Sequence, residues 1–276
     1  MPSVVWLDGG LVPADRAVVS VFDHGLTVGD GVFETMKVVD GRPFALTRHL
    51  ARLGRSAAGL GLVVPFDDGE LRRALEETIA ANGLRQGRAR ITVTGGVAPL
   101  GSDRAAIRPT VIVATGPLPP WPAAASVVTV PWPRNERSAV AGLKTTSYAE
   151  NVVALAFAHE RGADEAIFAN TAGALCEGTG SNVFVVRDGV LTTPPLSSGC
   201  LAGVTRDLLL EVLEVDEREV PLAALAEAEE AFLTSSTRDV QPIDRVDGRP
   251  LPTAPGPFTR QAMEALAELT ARDPDP

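Results

Sequence analysis

The sequence predicts a protein of two domains with an α+β or α/β fold. Strand-like and helix-like hydrophobic patterns alternate along the 276 residues, and the proline-dense segment GPLPPWPAAA at 116–125 interrupts both periods. With 45% hydrophobic and 22% charged residues, the chain is long enough to bury one large core or two moderate ones. We therefore expect a first, small α+β domain over 1–115, a linker over 116–125 and a larger second domain over 126–276.

The first half has three strand patterns and two helix patterns. VVWLDGGLVP predicts a strand followed by a Gly-Gly turn, FETMKVV a strand that ends at the Asp40-Gly41 turn, and RARITVT an alternating strand. Helices are predicted over TRHLARLGRSAAGLG and DDGELRRALEETIAANG. The second segment begins with acidic residues and ends at Asn82-Gly83, as helices commonly do.

The second half continues the alternation. ASVVTVPW, EAIFAN, SNVFVV, VLTTP, AFLTSS and RDVQPI predict strands, and SNVFVV and VLTTP are joined by an Asp188-Gly189 hairpin turn. Helices are expected from about 147 to 161 and over VTRDLLLEVLE. The DPDP ending is expected to be frayed.

Composition excludes several classes of function. A net charge of −10 argues against a nucleic-acid or anionic-membrane surface, because neutralising phosphates requires clustered cations. Cys176 and Cys200 have no neighbouring Cys or His, so we expect neither a disulfide framework nor a metal site. No signal-like start and no apolar run of about 20 residues is present, and a cytoplasmic location is the expectation. A small-molecule ligand fits these properties best.

Lysine is scarce in this chain, and that directs attention to Lys144. Of 25 basic residues only Lys37 and Lys144 are lysines, and arginine cannot supply a deprotonated amine. Lys144 lies among small uncharged residues in AGLKTTSY, where burial would favour the neutral amine that Schiff-base chemistry requires. The alternative is a structural lysine at a domain edge whose amine reaches solvent.

Three further positions could bind a ligand. Tyr148 lies four residues after Lys144 and could share its side of a turn, although a lone tyrosine is more often a core residue. Glu177, in ALCEGTGSNVFVV, would either cap a turn or face a buried cation. GCLAGVTRD brings Thr205 to the start of a helix, where anions are favoured, and LTSSTRD is a second hydroxyl-rich turn.

Six segments together resemble the class IV, or fold type IV, pyridoxal-phosphate aminotransferases, a group that includes branched-chain aminotransferases, D-amino-acid transaminases and 4-amino-4-deoxychorismate lyases. The segments follow the family's order and are DHGLTVGDGVFET at 23–35, RHLARL at 48–53, GLKTTSYAENVVA at 142–154, GADEAIFANTAGALCEGTGSNVFVV at 162–186, LTTPPLSSGCLAGVTR at 191–206 and AFLTSSTRDVQPI at 231–243. The resemblance implies the two-domain fold type IV architecture, pyridoxal 5'-phosphate as cofactor and a homodimer, in which the loop around 97–104 would reach the partner's site.

The resemblance also implies a role for each matching residue. Lys144 would form the Schiff base with the cofactor and move the substrate proton, Glu177 would contact the pyridine nitrogen, and Tyr148 the phenolic oxygen. The phosphate would be bound by Arg52, Ser236 and the backbone of Val204 and Thr205. Arg52 could instead lie on a solvated helix face, and His49 is expected to pack without taking part in catalysis. Substrate contacts are expected from Phe33, Thr35 and Thr237.

The substrate side of the site favours a transaminase for D-amino acids, with (R)-amines as further donors. GDGVFET and TSSTRD look closer to the D-amino-acid and lyase branches than to the branched-chain group. The arginine and histidine that familiar D-amino-acid transaminases have after the strand RITVT are missing from GGVAPLGSDR. Either Arg104, Arg134, Arg137 or Arg238 replaces them, or the enzyme accepts substrates without that carboxylate.

Three other interpretations stay open. A 4-amino-4-deoxychorismate lyase that releases pyruvate and 4-aminobenzoate is the first alternative. A branched-chain aminotransferase and a cofactor-binding protein without turnover are the others.

Overall fold

The computed structural model of the chain describes residues 3–104, 108–118 and 120–276, and these form two compact units. The first unit contains Met1–Pro119 together with Leu143–Tyr148 and Asp273–Pro276. The second contains Pro120–Gly142 and Ala149–Arg272. Helices and two β-sheets give the α+β arrangement that the sequence predicts.

The unit boundaries differ from the sequence prediction at two places. Residues 143–148 and 273–276, assigned by sequence to the second domain, belong to the first unit. Backbone hydrogen bonds explain both, because Thr146 N donates to Gly31 O over 2.8 Å and Ala45 N donates to Pro274 O over 2.8 Å. Position 119 of the predicted linker and positions 1, 2 and 105–107 of the predicted first domain lie outside the described residues.

The first unit is a sheet packed against helices. Within the described residues its six strands lie in the order β2-β1-β6-β5-β3-β4, and all neighbouring strands are antiparallel. The strands are β1 Val4–Leu7, β2 Gly10–Pro13, β3 Gly31–Val39, β4 Arg42–Pro43, β5 Gly87–Thr94 and β6 Val111–Gly116, and the helices are α1 His24–Thr27, α2 Leu46–Gly59 and α3 Asp68–Ala81. Alternate residues of β3 and β5 enter one core with the apolar faces of α2 and α3.

The two long helices of this unit begin in different ways. Asp67 and Glu70 form a capping box at the start of α3, as its acidic opening predicts. Helix α2 begins after Ala45, which has a φ of 54° and supplies no side-chain cap. Asp275 takes that role instead, since its carboxylate accepts from Thr47 N and Oγ1, each over 2.7 Å. The expectation of a frayed DPDP ending was therefore wrong.

The second unit is built on a larger mixed sheet. Among the described residues nine strands form it in the order β12-β11-β10-β13-β14-β7-β8-β9, with β15 paired to β14. The strands are β7 Ala125–Thr129, β8 Glu165–Ala169, β9 Leu175–Gly178, β10 Asn182–Arg187, β11 Val190–Thr193, β12 Asp216–Glu217, β13 Glu230–Ser235, β14 Asp239–Val246 and β15 Arg249–Pro250. The helices are α4 Ala149–His159, α5 Val204–Val212 and α6 Pro257–Arg272, with 3₁₀ turns at Leu196–Ser198 and Leu222–Leu225.

Helix α6 has no counterpart in the sequence prediction. It buries Ala262, Leu266 and Leu269 on one face and packs against β13 and β14. These residues have helical spacing, so the signal was present in the sequence. In the described part of the chain, no helix is both long and apolar enough to cross a membrane.

Candidate active site

The lysine-bearing segment is paired to the edge of β3. Phe33 N donates to Lys144 O over 3.0 Å, and Thr146 N donates to Gly31 O over 2.8 Å. Lys144 N in turn donates to Ser56 Oγ of α2 over 3.1 Å. Residues opposite each other in an antiparallel pair share a face, which places the side chains of Lys144 and Phe33 together.

Three polar side chains surround the Phe33 ring. Lys144 Nζ lies 4.6 Å from the ring centroid and Arg90 Cζ lies 3.7 Å from it. Tyr148 contacts the same ring edge-on at a centroid distance of 5.2 Å. Both distances are within the range of contacts between basic side chains and aromatic rings. Thr35, which pairs with Arg90 across β3 and β5, lies on this face of the sheet as well.

The opposite face of β3 contains a buried cluster of charges. Glu34 is fully buried and accepts from Arg52 Nε over 2.7 Å and from Arg52 Nη2 over 2.8 Å. His49 Nδ1 lies 2.6 Å from the same carboxylate. Burial alone would raise the pKa of Glu34, but the charge and hydrogen bonds of Arg52, helped by His49, outweigh burial and lower the pKa to about 2.

Burial lowers the pKa of His49, and the nearby charges of Arg52 and Lys144 lower it further, although Glu34 opposes this. A neutral His49 that donates to Glu34 agrees with its expected packing role. Arg52 lies on α2 with two nitrogens engaged by Glu34, so it is not on a solvated face. Its contact with a phosphate stays a prediction. Sequence reasoning missed Glu34, which is the residue that orients Arg52.

In the second unit, Glu177 is held on β9 by two contacts. Its Oε2 accepts from Leu201 N over 2.9 Å, and its Oε1 lies 3.3 Å from Arg134 Nε. Arg134 also donates to Asn151 Oδ1 over 2.7 Å, and its guanidinium lies 4.2 Å from the Phe168 ring centroid. Glu177 thus faces a cation, which is one of the two possibilities that its sequence context offered, and its other oxygen accepts from an N–H of a distant segment instead of capping its own turn.

The start of α5 presents backbone donors without a side-chain cap. Gly203 is the N-cap residue, and the first two helical residues are Val204 and Thr205, both buried. A Cβ at Gly203 would overlap Asn182 Oδ1, so the close approach of these segments requires glycine. Uncapped N–H groups at the positive end of a nine-residue helix suit an anion such as phosphate.

The hydroxyl-rich turn at Ser236 and Thr237 joins β13 to β14. Trp121 Nε1 donates to Thr237 O over 2.8 Å, and Arg238 N donates to Ser235 O over 3.2 Å. These hydrogen bonds fix the backbone of the turn. Ser236 and Thr237, the two predicted ligand-binding residues, are half-buried, so their side chains remain accessible.

The arginines suggested as substrate-carboxylate ligands are mostly paired with carboxylates of their own unit. Arg137 differs from the other three because its side chain is 87% exposed and its Nε lies 3.7 Å from Glu136 Oε1, which is a long ion-pair distance. The others pair as Arg104 with Asp30, Arg134 with Glu150 and Glu177, and Arg238 with Glu165.

Arg90 was missed by sequence reasoning. It hydrogen-bonds Thr92 Oγ1 over 3.1 Å and stacks on Phe33, and within the described residues no carboxylate lies within ion-pair distance of it. The available signal was its position in RARITVT, where strand alternation places it on one face with Thr92. The sequence does not tell whether this face of β5 is the one that carries Phe33, because that depends on how β5 pairs with β3.

The family profile, the similar sequences and the similar structures all indicate the same family for this chain. The sequence profile described as amino-transferase class IV matches residues 31–246. The D-alanine aminotransferase of Bacillus licheniformis is 33% identical, over 95% of each chain. A branched-chain aminotransferase of Thermoproteus uzoniensis, solved with norvaline, superposes with a TM-score of 0.91 and 33% identity, covering 98% of this chain and 95% of that one.

A third similar structure has a provisional 4-amino-4-deoxychorismate lyase assignment and comes from Legionella pneumophila. It has a TM-score of 0.87 and 25% identity, and the match covers 92% of this chain and 96% of that chain. These relatives span three activities, so they identify a common fold and leave the substrate open.

Proposed function

We propose that this chain, which belongs to the class IV aminotransferases and has their fold, transfers amino groups from D-amino acids to 2-oxo acids. Family membership, the fold type IV architecture and an enzymatic function agree with the resemblance in the sequence. Pyridoxal 5'-phosphate is the cofactor of this family. The choice of D-amino acids, the roles of single residues and the oligomeric state are our proposals.

The side chains present suit this cofactor. It requires an amine for its aldehyde, a carboxylate for its ring nitrogen and donors for its phosphate. Lys144, Glu177 and the uncapped start of α5 at Val204 and Thr205 have those chemistries. When bound, the protonated ring withdraws electrons from the carbon that bears the amino group, so no metal is required.

Each residue then has a defined task. Lys144 would hold the cofactor covalently and afterwards move the proton between the substrate carbon and the cofactor carbon. Glu177, anionic beside Arg134, would keep a proton on the ring nitrogen. Tyr148 would donate to the phenolic oxygen. Arg52, oriented by Glu34, would bind the phosphate with Ser236 and the start of α5.

The observation that supports an amino-acid donor most directly is the arrangement of Arg90 beside Phe33 and Lys144. An amino acid has an α-carboxylate close to its reacting carbon, and a nearby arginine can bind it in a bidentate manner. Simple amines have no such group. We therefore assign the carboxylate to Arg90 and expect (R)-amines to be weaker donors than D-amino acids.

A half-reaction tests the proposal. The cofactor-loaded protein is mixed separately with D-alanine, L-leucine, (R)-1-phenylethylamine and 4-amino-4-deoxychorismate while the cofactor absorbance and the products are followed. D-alanine is expected to convert the cofactor to its amino form, with little conversion by L-leucine. Faster conversion by L-leucine would reject D-selectivity.

Two other activities have specific support. The lyase is favoured by the similar Legionella structure, and the branched-chain activity by the Thermoproteus structure. Release of pyruvate and 4-aminobenzoate with D-alanine inert would establish the lyase. Conversion by L-leucine with D-alanine inert would establish the branched-chain activity.

A homodimer is part of the proposal, with an apolar patch of the first unit as the contact surface. Ala98 N donates to Phe22 O and His24 N to Gly96 O, so the segments 18–28 and 96–100 lie side by side. Together they expose the apolar side chains Val18, Val19, Val21, Phe22, Leu26, Val28, Val97 and Leu100. A contiguous apolar cluster of this kind is typical of an interface.

Light scattering on the purified protein tests the interface. Leu26→Asp, at a side chain that is 68% exposed, is expected to give monomers at concentrations where the parent is a dimer. Val190→Asp, at an exposed position in the hairpin of the second unit, is the matched control and should leave the dimer intact. A monomeric parent would reject the proposal.

A further inference from the structure

A buried ion pair lies behind the Ser236–Thr237 turn and has no task in the chemistry above. Arg238 Nη2 donates to Glu165 Oε2 over 2.6 Å, and Arg238 Nη1 donates to Gln241 Oε1 over 2.8 Å. The Glu165 side chain is fully buried, and that of Arg238 is 6% exposed. Since two of its nitrogens are engaged by Glu165 and Gln241, we assign Arg238 to this buried contact and not to the substrate carboxylate.

The same carboxylate also fixes the loop that follows Glu177. Glu165 Oε1 accepts from Thr179 N over 3.1 Å and from Thr179 Oγ1, and Oε2 accepts from Ser181 Oγ over 3.3 Å. One buried carboxylate therefore connects two segments of the second unit. The first contains the predicted ligand of the pyridine nitrogen, and the second is the predicted phosphate turn.

Trp121 holds the other side of the turn. The guanidinium of Arg238 lies 3.9 Å from the Trp121 ring centroid, and Trp121 Nε1 donates to Thr237 O over 2.8 Å. Gln241 Nε2 donates to Pro122 O over 2.8 Å. The turn is thus fixed both through its backbone carbonyl and through the side chain of its last residue.

Such an arrangement is unusual for a connection between two strands. Connecting turns are generally more mobile than the strands they join, and a buried ion pair is expensive to desolvate unless its remaining hydrogen bonds are satisfied. Here Glu165 accepts from five donor atoms in three segments, including its own strand through Ala166 N. A rigid turn has its donors in position before an anion arrives, so binding requires little ordering.

We propose that Glu165 and Arg238 are positioning residues that fix the Ser236 turn relative to the loop after Glu177 and thereby set the affinity for the cofactor phosphate. This inference rests on the proposed phosphate role of Ser236. Neither residue of the pair needs to touch the cofactor. Loss of the pair lowers the affinity for pyridoxal phosphate and leaves that for pyridoxal, which has no phosphate, nearly unchanged.

The test measures the dissociation constants of pyridoxal phosphate and of pyridoxal with the apo-protein by absorbance, together with its urea unfolding. Arg238→Lys keeps the positive charge but cannot contact Glu165 and Gln241 through two separate nitrogens. Glu165→Gln removes the negative charge. By analogy with outer-shell residues of metal sites, each is expected to weaken pyridoxal phosphate binding about tenfold or more. Because Glu165→Gln leaves a buried cation, Arg238→Lys is the variant expected to remain folded in the binding assay without urea.

Glu230→Gln is the matched control. Glu230 is a buried carboxylate at the first residue of β13, the strand that leads into the Ser236–Thr237 turn. It accepts from Phe258 N and Thr259 N at the start of α6. Its loss should reduce stability without changing cofactor affinity. If Arg238→Lys loses stability but keeps pyridoxal phosphate affinity within about twofold of the parent, the pair is only structural and the inference is wrong.

Ser236→Ala separates this inference from its premise. If Ser236→Ala binds pyridoxal phosphate as tightly as the parent, the proposed phosphate turn is wrong and the inference falls with it. If Ser236→Ala weakens binding and Arg238→Lys does not, only the positioning role is rejected. Weaker phosphate-dependent binding in both variants, with pyridoxal unaffected, supports the proposal.

Discussion

Glu34→Gln is expected to destabilise the first unit severely. The glutamine oxygen can replace only one of the two carboxylate oxygens, and the NH₂ group in the place of the other would face a donor of Arg52 or His49. Arg52 would remain buried, at 5% exposure, without its counter-charge. Removal of one member of a buried ion pair costs about 3–5 kcal/mol.

The lowered pKa of Glu34 expresses the same interaction as a free energy. Its decrease from 4.5 to about 2 in the folded chain is equivalent to about 3 kcal/mol at neutral pH. Because the folded-state pKa is the lower one, this stabilisation is complete above pH 4.5 and is lost as the pH falls towards 2. Both estimates are a large part of the roughly 5–15 kcal/mol that stabilises a typical domain.

The assay is urea unfolding of the apo-protein at pH 7.5, followed by the fluorescence of Trp6. Trp6 lies in the core of the first unit, and replacing Trp121 and Trp132 by Phe makes it the single reporter. Glu76→Gln, at an exposed position of α3, is the matched control and should change the free energy of unfolding by less than about 0.5 kcal/mol.

Two results would refute this reasoning. A loss of less than about 1 kcal/mol in Glu34→Gln would mean that the carboxylate does not stabilise the folded chain as an ion-pair partner. Arg52→Met in the Glu34→Gln background should recover part of the loss, because it removes the uncompensated cation. If the double variant is less stable than Glu34→Gln alone, the cost does not arise from the unpaired charge of Arg52.

The remaining predictions concern three other places. Burial lowers the pKa of His49, so below about pH 6.5 the unfolded chain takes up a proton that the folded chain does not, and the free energy of unfolding decreases as the pH is lowered. His49→Gln should flatten that part of a plot of the free energy of unfolding against pH. His159→Gln, at an exposed position, is the control and should leave the plot unchanged. Gly31→Ala would place a Cβ 2.8 Å from a backbone oxygen of β5 and 2.9 Å from a hydroxyl of the lysine segment, and should cost about 1–3 kcal/mol in urea unfolding and reduce kcat. Burial raises the pKa of the Cys176 thiol and that of Cys200 to about 11, so neither should react with a disulfide reagent at pH 8 until the chain unfolds; a rapidly labelled native thiol would contradict this.

Local pattern was sufficient to predict most of the elements near the site. The alternation in FETMKVV and RARITVT identifies β3 and β5, because each has one buried face, and the capping residues identify α3. The pattern TRHLARLGRSAAGLG also placed the start of α2 within one residue, but the residue that caps this helix could not be predicted in this way. Its cap is Asp275, more than 200 residues away in sequence, and no local pattern reports a partner at that distance.

The same limit explains which site residues the sequence indicated and which it concealed. Lys144 and Tyr148 stand out because each residue type is rare in this chain, whereas Phe33 was indicated by the resemblance to the family and Thr35 by its position on the same strand face. Alternation also places Glu34 on the buried face, where a carboxylate contradicts the apolar pattern. That contradiction is itself a signal, because a buried carboxylate requires cations, and the structure shows that α2, which packs on that face, supplies Arg52. A polar residue at a core position of a predicted strand therefore indicates which charged residue of the covering helix points inwards. In this chain that residue is Arg52, which is buried and oriented by Glu34.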